Sequence, residues 1–447
     1  MPLPDLIEIV PLDKPVQAEI TVPGSKSITN RALILAALAD GETVLEGALW
    51  SEDTQVMVEC LQELGFMVNV APDPNEAGNR TITVFGKGGV VPRGGTEEQP
   101  VELFVGNAGT AARFLAAFVC LGSGVYRLHG VPRMHERPQA ALFQALRELG
   151  YRIESPTDKL PAVIYGGGPR AGKCRVSIEE SSQFASALIL CSIKGKWSIE
   201  IAGQNAEESP YVKMTDKLLA TFPHHGGQLQ IEPDASSGSY FLAALGLFPE
   251  QKYIEIQGQK LPLGRLTMIT VAHWPVSGWQ ADERFSKVFP FGPYLALESG
   301  QWVVSRNRDL GDSIMTAIVM APFAAQAIRF TDLGRLRLQE CERVASLRTE
   351  LTKCGAKVIE EGDTLTVYPS ELHGAEIETY NDHRMAMCFA ILGLKIRGIK
   401  IRNPACVKKT FPNFFQKLAT PPPAGLGATI RDARTGQALS LDDLFAT

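Results

Sequence analysis

The sequence has few of the residue patterns that build metal sites or disulfide frameworks. Its 8 cysteines are scattered over 447 residues, and no two form a Cys-x-x-Cys pair. The 7 histidines form no His-Glu-x-x-His motif, and the adjacent pair His224–His225 is typical of a loop. Unpaired cysteines are typical of reduced thiols in a cytoplasm. We therefore expect no metal site and no disulfide framework.

Excess positive charge and long apolar runs are also missing. Lys and Arg number 44 against 49 Asp and Glu, so the net charge is −5. This balance excludes the basic surface by which proteins bind nucleic acid. The most apolar stretch, residues 115–124, is too short to span a bilayer and has Arg113 beside it. The acidic start MPLPDLIEIVPLD lacks the basic region of a secretory signal. We therefore expect a cytoplasmic protein without nucleic-acid or membrane partners.

What the sequence does contain is a recurring unit of a helix, a glycine and a short strand. Four stretches share one pattern: leucines at helical spacing, then a glycine, then alternating apolar and polar residues. They are residues 58–70, 142–155 and 347–361, and more weakly 218–232. The length of the chain and the recurrence of this unit predict a duplicated α/β or α+β architecture with at least two domains. Residues 248–309 interrupt this rhythm, and no elements are predicted there. After Ala419, the proline-rich stretch TPPPAGLG predicts a linker and a C-terminal tail over 419–447.

The stretch VPGSKSITNRALILAALADG (residues 22–41) sets basic residues at the start of an apolar helix. Pro23 and Gly24 mark a turn, and Ser25 or Ser27 is a suitable helix cap. Lys26 and Arg31 stand where the helix dipole favours anions rather than cations. A bound anion explains this placement, and so does a solvated helix start that happens to be basic. The stretch alone leaves both interpretations open.

Similar polar clusters precede other apolar helices. LFVGNAGTAARFL contains Asn107 and Gly109, GVPRMHERPQAAL contains Arg137, and EESSQFASALIL contains three polar residues from Ser181 to Gln183. Taken singly, a tight turn, a helix cap or a solvated face explains each cluster. Together they set basic side chains at several helix starts of a net acidic chain: Lys26, Arg31, Arg113, Arg137, Arg343, Arg384 and Lys409. This pattern predicts a multiply charged anionic substrate.

These stretches can be compared with a known family. PGSKSITNRA, LFVGNAGTAARFL, GVPRMHERP, SSQFASALIL, DASSGSYFLAA, GDSIMTAIVMA, ECERVASLRTEL, NDHRMAMCFA and KKTFPNFF resemble, in order, the signature segments of the 5-enolpyruvylshikimate-3-phosphate synthases, a branch of the enolpyruvyl transferases. The resemblance reaches to about Leu418 and omits residues 248–309. It implies an α/β fold of two similar domains, each of three βαβαββ units, with helix N-termini facing an interdomain cleft. The domains would be residues 24–237, and residues 1–23 together with 238–418.

The resemblance also implies an activity. Such enzymes move the enolpyruvyl group of phosphoenolpyruvate to the 5-hydroxyl of 3-phosphoshikimate, release phosphate and need no metal or organic cofactor. The catalytic roles would fall to Lys26, to Asp312 as the base near the hydroxyl, and to Glu340, which exchanges the proton at the methylene carbon. Substrate contacts are implied for Ser27, Arg31, Asn107, Gly109, Arg137, Ser181, Ser182, Gln183, Ser209, Tyr211, Arg343, Arg384 and Lys409. Gly109 would leave room for glyphosate in the phosphoenolpyruvate pocket. We expect a monomer.

Two positions depart from the family pattern. Gln339 stands where the family has a lysine that contacts the phosphorylated acceptor, and Arg335 replaces an asparagine. Either Arg335 or Arg337 supplies the lost charge, or the acceptor is a different molecule in specialised metabolism. A non-catalytic binding protein is disfavoured, because Asp312 and Glu340 are retained. The related transferases that act on a UDP-sugar fit poorly, since the SSQ and ERP segments match the shikimate branch.

Overall fold

The computed structural model describes residues 3–203, 209–248, 251–256, 259–265, 267–290, 296–298 and 301–446. The chain divides into two compact units. Unit 1 contains Met1–Val22 and Pro233–Thr447, and unit 2 contains Pro23–Glu232. The sequence-based boundary at residue 237 differs from this division, because Asp234 caps a helix that belongs to unit 1.

The strands and helices alternate along both units. The strands are β1 (Leu6–Ile9), β2 (Gln17–Ile20), β3 (Glu42–Leu49), β4 (Val68–Pro72), β5 (Asn79–Phe85), β6 (Val101–Phe104), β7 (Val125–His129), β8 (Arg152–Glu154), β9 (Ala162–Tyr165), β10 (Gly172–Ser177), β11 (Trp197–Ala202), β12 (Gly227–Gln230), β13 (Gln251–Ile256), β14 (Gln259–Arg265), β15 (Met268–Val271), β16 (Ala296–Glu298), β17 (Gln301–Ser305), β18 (Ile328–Thr331), β19 (Val358–Glu361), β20 (Thr364–Val367), β21 (Glu376–Ile377), β22 (Ile399–Arg402) and β23 (Ile430–Asp432). The helices are α1 (Lys26–Leu38), α2 (Glu52–Glu63), α3 (Gly109–Phe118), α4 (Pro132–Glu136), α5 (Ala140–Glu148), α6 (Ser182–Gly195), α7 (Ser209–Thr221), α8 (Ala235–Gly246), α9 (Phe285–Val288), α10 (Ile314–Met320), α11 (Arg343–Lys353), α12 (His383–Gly393) and α13 (Phe414–Ala419).

One sheet pattern recurs in both units. In unit 2, the sheets β12-β3-β5-β4 and β6-β7-β9-β8 each contain one parallel pair followed by two antiparallel pairs. In unit 1, β17-β18-β20-β19 and β21-β22-β1-β23 repeat the order and the directions. A helix crosses over between parallel strands, whereas antiparallel neighbours need no such crossover. The predicted mixed α/β fold built from βαβαββ units is confirmed.

The helix–glycine–strand units are also confirmed. Helices α2, α5 and α11 end just before Gly65, Gly150 and Gly355, whose φ angles are 87°, 86° and 91°. Only glycine adopts this left-handed backbone without steric cost, so it ends the helix and turns the chain into the next strand. The weaker repeat behaves likewise, since α7 is followed by Gly226 with φ of 88° and then by β12.

The segment after Ala419 is not the linker and tail that its composition predicts. Strand β23 pairs antiparallel with β1 and completes the sheet β21-β22-β1-β23. Leu426 and Ile430 are each 1 % exposed and belong to the core of unit 1. The segment is ordered because its apolar side chains are buried and because β1 offers it an unpaired edge. The prolines that predicted a linker are confined to the turn before it.

The stretch 248–309, for which the sequence predicts no elements, is described in part. Strand β15 pairs parallel with β2, and the short helix α9 follows a 3-10 turn over Ala281–Arg284. Residues 249–250, 257–258, 266, 291–295 and 299–300 lie outside the described residues. Within the described ranges, no helix is both long enough and apolar enough to cross a membrane.

Candidate active site

The first predicted site residue, Lys26, begins helix α1 and pairs with an acid. Ser25 occupies the N-cap position, but its side chain makes no capping hydrogen bond, contrary to the sequence-based expectation. The Nζ of Lys26 lies 3.1 Å from Oδ2 of Asp53, which is buried in the first turn of α2. Nothing in the sequence marks this pairing, because an acid at a helix start is common for reasons of helix stability. The bond fixes the ammonium group at the amino end of α1.

Arg31 joins three helices of unit 2. Its NH1 donates to the carbonyl of Ser27 at 2.8 Å, so the guanidinium runs back toward the start of α1. Its Nε donates to Oγ1 of Thr215 in α7 at 2.8 Å, and its NH2 donates to Oγ of Ser186 in α6 at 3.1 Å. The ring of Phe114 in α3 lies 5.2 Å from the guanidinium carbon. These contacts hold α1, α3, α6 and α7, which come from distant parts of the chain, close together.

Gly109 begins α3 beneath two guanidiniums. A Cβ atom built on Gly109 would lie 2.4 Å from NH1 of Arg113 and 2.6 Å from NH2 of Arg137. Arg137 also donates from NH1 to the carbonyl of Asn107 at 3.1 Å, and Arg113 donates from NH2 to the carbonyl of Pro138 at 2.8 Å. Glycine is required here because two cations approach the backbone. The predicted residues Asn107, Gly109 and Arg137 are therefore neighbours.

The serine-rich start of α6 lies next to α3. Ser181 caps α6 by accepting a hydrogen bond from the backbone nitrogen of Gln183 at 3.3 Å. Gln183 donates from Nε2 to Oγ1 of Thr110 at 3.3 Å, and both Ser181 and Ser182 are buried. On α7, the carbonyl of Tyr211 accepts a hydrogen bond from Thr215 at 2.8 Å. The predicted contact through the side chain of Ser209 lies outside the described residues.

Unit 1 contributes a second cluster, which begins at Asp312. Its Oδ2 lies 3.1 Å from NH2 of Arg384, and its Oδ1 lies 3.2 Å from NH2 of Arg306. Arg384 is the second residue of α12, and its NH1 donates to the hydroxyl of Tyr240 at 3.3 Å. Burial alone would raise the pKa of Asp312, but the guanidiniums of Arg384 and Arg306 outweigh it and hold that pKa well below its ordinary value. Asp312 is therefore ionised.

The remaining predicted residues of unit 1 surround Glu340. Its carboxylate lies 2.8 Å from NH2 of Arg343 and 3.4 Å from Nζ of Lys409. Arg343 is 1 % exposed and forms a second ion pair, 2.6 Å from its Nε to Oδ2 of Asp382. Asp382 also caps α12 by accepting the backbone N–H of Arg384 at 2.9 Å. Asp312, Glu340, Arg343, Arg384 and Lys409, distant in sequence, therefore form one cluster of alternating charge.

The two departures from the family pattern have different surroundings. Gln339 accepts a hydrogen bond through Oε1 from NH1 of Arg343. Arg337, one of the two candidates to replace the family lysine, pairs with Glu342 at 2.6 Å, Glu360 at 2.8 Å and Asp363 at 3.0 Å. All three of its nitrogens donate within the unit, so binding a phosphate would require breaking these bonds.

Sequence reasoning missed several polar residues that hold the predicted ones. Asp53 pairs with Lys26, and Ser186 and Thr215 bind Arg31. Arg306 pairs with Asp312, although it lies in the stretch that the family resemblance does not cover. No motif or spacing marks these residues; Asp53, Ser186 and Thr215 lie 27 or more positions from their partners, and Arg306 lies in a stretch without predicted elements.

A cluster of buried arginines, a lysine and two carboxylates is typical of enzymes that bind phosphorylated or carboxylated substrates and transfer protons. The comparisons with known proteins are more specific. A sequence model described as EPSP synthase (3-phosphoshikimate 1-carboxyvinyltransferase) matches residues 11–418. The chain belongs to this family.

Curated relatives agree along nearly the whole length. The chain is 38% identical over 449 residues to a 3-phosphoshikimate 1-carboxyvinyltransferase of Opitutus terrae, with 94% of this chain and 98% of that protein covered. It is 37% identical over 436 residues to the enzyme of that name from Trichormus variabilis, with 93% and 98% covered. Among solved structures, EPSP synthase from Acinetobacter baumannii has a TM-score of 0.70 at 19% identity over 96% of this chain and 100% of that one. The enolpyruvyl transferase NikO from Streptomyces tendae has a TM-score of 0.65 at 14% identity over 98% of this chain and 100% of that one. These two structures support the fold.

Proposed function

We propose that the protein transfers the enolpyruvyl group of phosphoenolpyruvate to the 5-hydroxyl of 3-phosphoshikimate and releases phosphate, a step in aromatic amino acid biosynthesis. It is a transferase. The observation that carries the proposal is the cluster in unit 1, where two carboxylates lie within 3.5 Å of arginine or lysine nitrogens. The cations suit a substrate that bears both phosphate and carboxylate, and the carboxylates suit proton transfer.

The reaction needs a proton at carbon and the removal of one from oxygen. The acceptor oxygen bonds to C2 of phosphoenolpyruvate while a proton is added to the methylene carbon, which gives a tetrahedral intermediate. Loss of phosphate and of one proton from the resulting methyl group restores the double bond. We assign the proton exchange at carbon to Glu340, assisted by Lys26, and removal of the hydroxyl proton to Asp312.

The charge cluster explains how Asp312 can act as a base although its pKa is low. Arg384 and Arg306 lower the pKa of Asp312, which weakens it as a proton acceptor. A phosphate or carboxylate bound to Arg384 would offset part of that positive charge. We expect the pKa of Asp312 to rise when such an anion binds, which would make the carboxylate a stronger base. Substrate binding and base strength are coupled in this way.

Recognition of the substrates is assigned to the helix starts. Arg343, Arg384, Lys409, Arg137 and Gly109 would bind phosphoenolpyruvate, together with Gln183. Ser181, Ser182 and Ser209 would bind the phosphate of the acceptor, with Tyr211 nearby. Backbone N–H groups at helix starts favour such anions. Asn107, Ser27 and Arg31 complete the proposed set. We further propose a cytoplasmic location, which the eight free thiols support, and a monomer.

The direct test is phosphate release by the purified protein from phosphoenolpyruvate, with and without 3-phosphoshikimate. We expect release only when 3-phosphoshikimate is present. Turnover would assign the role of the missing lysine to another group, for which Arg335 and Arg337 are the candidates. Binding of phosphoenolpyruvate without turnover would contradict the proposed acceptor, and it would direct the search to the surroundings of Gln339.

The substitution Gly109→Ala should weaken phosphoenolpyruvate binding and leave the fold intact. The added methyl group displaces the guanidiniums of Arg113 and Arg137, which are flexible side-chain ends and can move. Losing one charged hydrogen bond costs about 1.5–3 kcal/mol, so KM for phosphoenolpyruvate should rise by about tenfold or more.

Glyphosate provides a second readout of the same pocket. We expect inhibition competitive with phosphoenolpyruvate in the unaltered protein, and weaker inhibition of the Gly109→Ala variant. Gly172→Ala is the matched control, because the φ angle of Gly172 is not left-handed and a Cβ built there would closely approach only the side-chain end of Leu149, at 3.0 Å. An unchanged KM in the Gly109→Ala variant, or an unaltered protein insensitive to millimolar glyphosate, would contradict the assignment of Gly109 to this pocket.

A further inference from the structure

Asp282 is a buried carboxylate in the stretch of chain that resembles no family segment. It is 4 % exposed and lies in the 3-10 turn Ala281–Arg284 of unit 1. Its Oδ1 accepts hydrogen bonds from the backbone nitrogen of Gly311 at 2.7 Å, from the backbone nitrogen of Ser313 at 3.2 Å and from Oγ of Ser313 at 2.5 Å. Its Oδ2 accepts a hydrogen bond from Oγ of Ser236.

The residues that bind Oδ1 of Asp282, Gly311 and Ser313, are the two neighbours of Asp312. One carboxylate oxygen therefore anchors the chain immediately before and immediately after the proposed base. A Cβ built on Gly311 would lie 3.1 Å from Oδ1 of Asp282, so the turn passes against the carboxylate. Asp312 itself points its oxygens to Arg306 and Arg384, at 3.2 Å and 3.1 Å. The direction of that side chain depends on the backbone that Asp282 holds.

The charge of Asp282 also acts on the cluster. Burial lowers the pKa of Arg384, but the neighbouring groups together, of which Asp312 acts most strongly and Asp282 is one, outweigh burial and raise that pKa well above its ordinary value. The fourth bond of Asp282, to Ser236, anchors the first turn of α8, the helix that carries Tyr240 to Arg384. Asp282 thus touches two elements next to the cluster without belonging to it.

We propose that Asp282 is a positioning residue for Asp312, anchoring the Gly311–Ser313 turn so that the Asp312 carboxylate is held for proton transfer. The inference rests on the proposed function for its kinetic consequence, but the anchoring itself is a property of unit 1. A displacement of about 1 Å at a reacting group lowers a rate on the order of a hundredfold. We therefore expect Asp282→Ala to lower kcat by about that factor, with a smaller change in KM for phosphoenolpyruvate.

Two further variants separate positioning from general stability. Asp282→Asn keeps an oxygen for the Gly311–Ser313 turn and offers an amide N–H to Ser236, so it should retain activity within about tenfold of the unaltered protein. Ser236→Ala removes only the bond to α8 and should leave kcat unchanged. If Asp282→Ala fails to fold, Ser313→Ala replaces it, because it deletes one of the three bonds to the turn.

The decisive experiment is a double-mutant cycle with Asp312→Asn. If Asp282 acts through Asp312, adding Asp282→Ala to Asp312→Asn lowers kcat no further. If the double variant lowers kcat by the product of the two single losses, the inference is overturned. Full activity of Asp282→Ala would also overturn it. Absence of turnover in the unaltered protein would instead contradict the proposed function.

A readout without turnover keeps the inference testable in that case. In protein with 13C-labelled aspartate, the carboxyl signal of Asp312 is assigned by its loss in Asp312→Asn. That signal should shift in Asp282→Ala and stay in place in Ser236→Ala. An unshifted signal in Asp282→Ala would show that the turn does not need its anchor.

Discussion

The Glu340→Gln variant is expected to turn over about 10²–10⁴ times more slowly than the unaltered protein, the range that general acid–base catalysis contributes. Glutamine matches glutamate in shape but cannot accept and return a proton at carbon. Arg343 and Lys409, 2.8 Å and 3.4 Å from the carboxylate, keep their places and lose a competing anion. KM for phosphoenolpyruvate should therefore not rise. Steady-state kinetics and exchange of the methylene hydrogens in D2O measure both effects.

Glu342→Gln is the matched control for this prediction. Glu342 lies two residues away, caps α11 by accepting the backbone N–H of Ala345 at 2.6 Å, and pairs with Arg337. A glutamine keeps the capping oxygen, so we expect kcat to change by less than about threefold. Retention of more than a tenth of the turnover by Glu340→Gln, or an equal loss in the control, would remove Glu340 from the proton-transfer step.

Arg343→Met is expected to lower the free energy of unfolding of unit 1 by about 3–5 kcal/mol, the cost of breaking a buried ion pair by removing one partner. Asp382 is 0 % exposed and loses the guanidinium that lies 2.6 Å from its Oδ2. Methionine fills a similar length but leaves the carboxylate without a compensating charge. Urea unfolding, followed by hydrogen exchange at the amides of α11 and α12, measures the loss.

Two variants show whether the uncompensated charge is the cause. Arg348 lies on the same helix, and its side chain is 46 % exposed and pairs with Glu360 at 3.2 Å. Because this pair is exposed, Arg348→Met should lower the free energy of unfolding by only about 0–1 kcal/mol. The double variant Arg343→Met with Asp382→Asn removes the buried charge and keeps a capping side chain for α12, so it should recover much of the stability. A double variant no more stable than Arg343→Met would contradict this account.

Much of the architecture was predictable from local patterns. The glycines at 65, 150 and 355 mark the ends of helices because they supply the backbone angles that other residues avoid. The apolar helices that start at polar, basic clusters were recognised for the same local reasons. The segment after Ala419 was mistaken for a tail, because its prolines signal a turn whereas its burial depends on the distant strand β1.

The site was predictable in its residue types but not in its contacts. Lys26, Arg31, Arg343 and Arg384 could be selected because cations at helix starts oppose the helix dipole unless an anion is bound. Their partners could not be selected, since Asp53, Thr215 and Asp382 are 27, 184 and 39 residues away from Lys26, Arg31 and Arg343. The packing of the folded chain decides which of these residues pair, and a single sequence does not show that packing.

By itself, the sequence determined the recurring helix–glycine–strand units, the duplicated α/β architecture and the basic clusters before apolar helices, because these follow from spacing and backbone preference. The βαβαββ unit was implied by the family resemblance. Only the tertiary structure decided that Glu340 lies between Arg343 and Lys409, that Arg337 is occupied by three carboxylates, and that Asp282 anchors the turn of Asp312. The reason is physical: hydrogen bonds and ion pairs depend on distances of about 3 Å between groups that the chain separates widely.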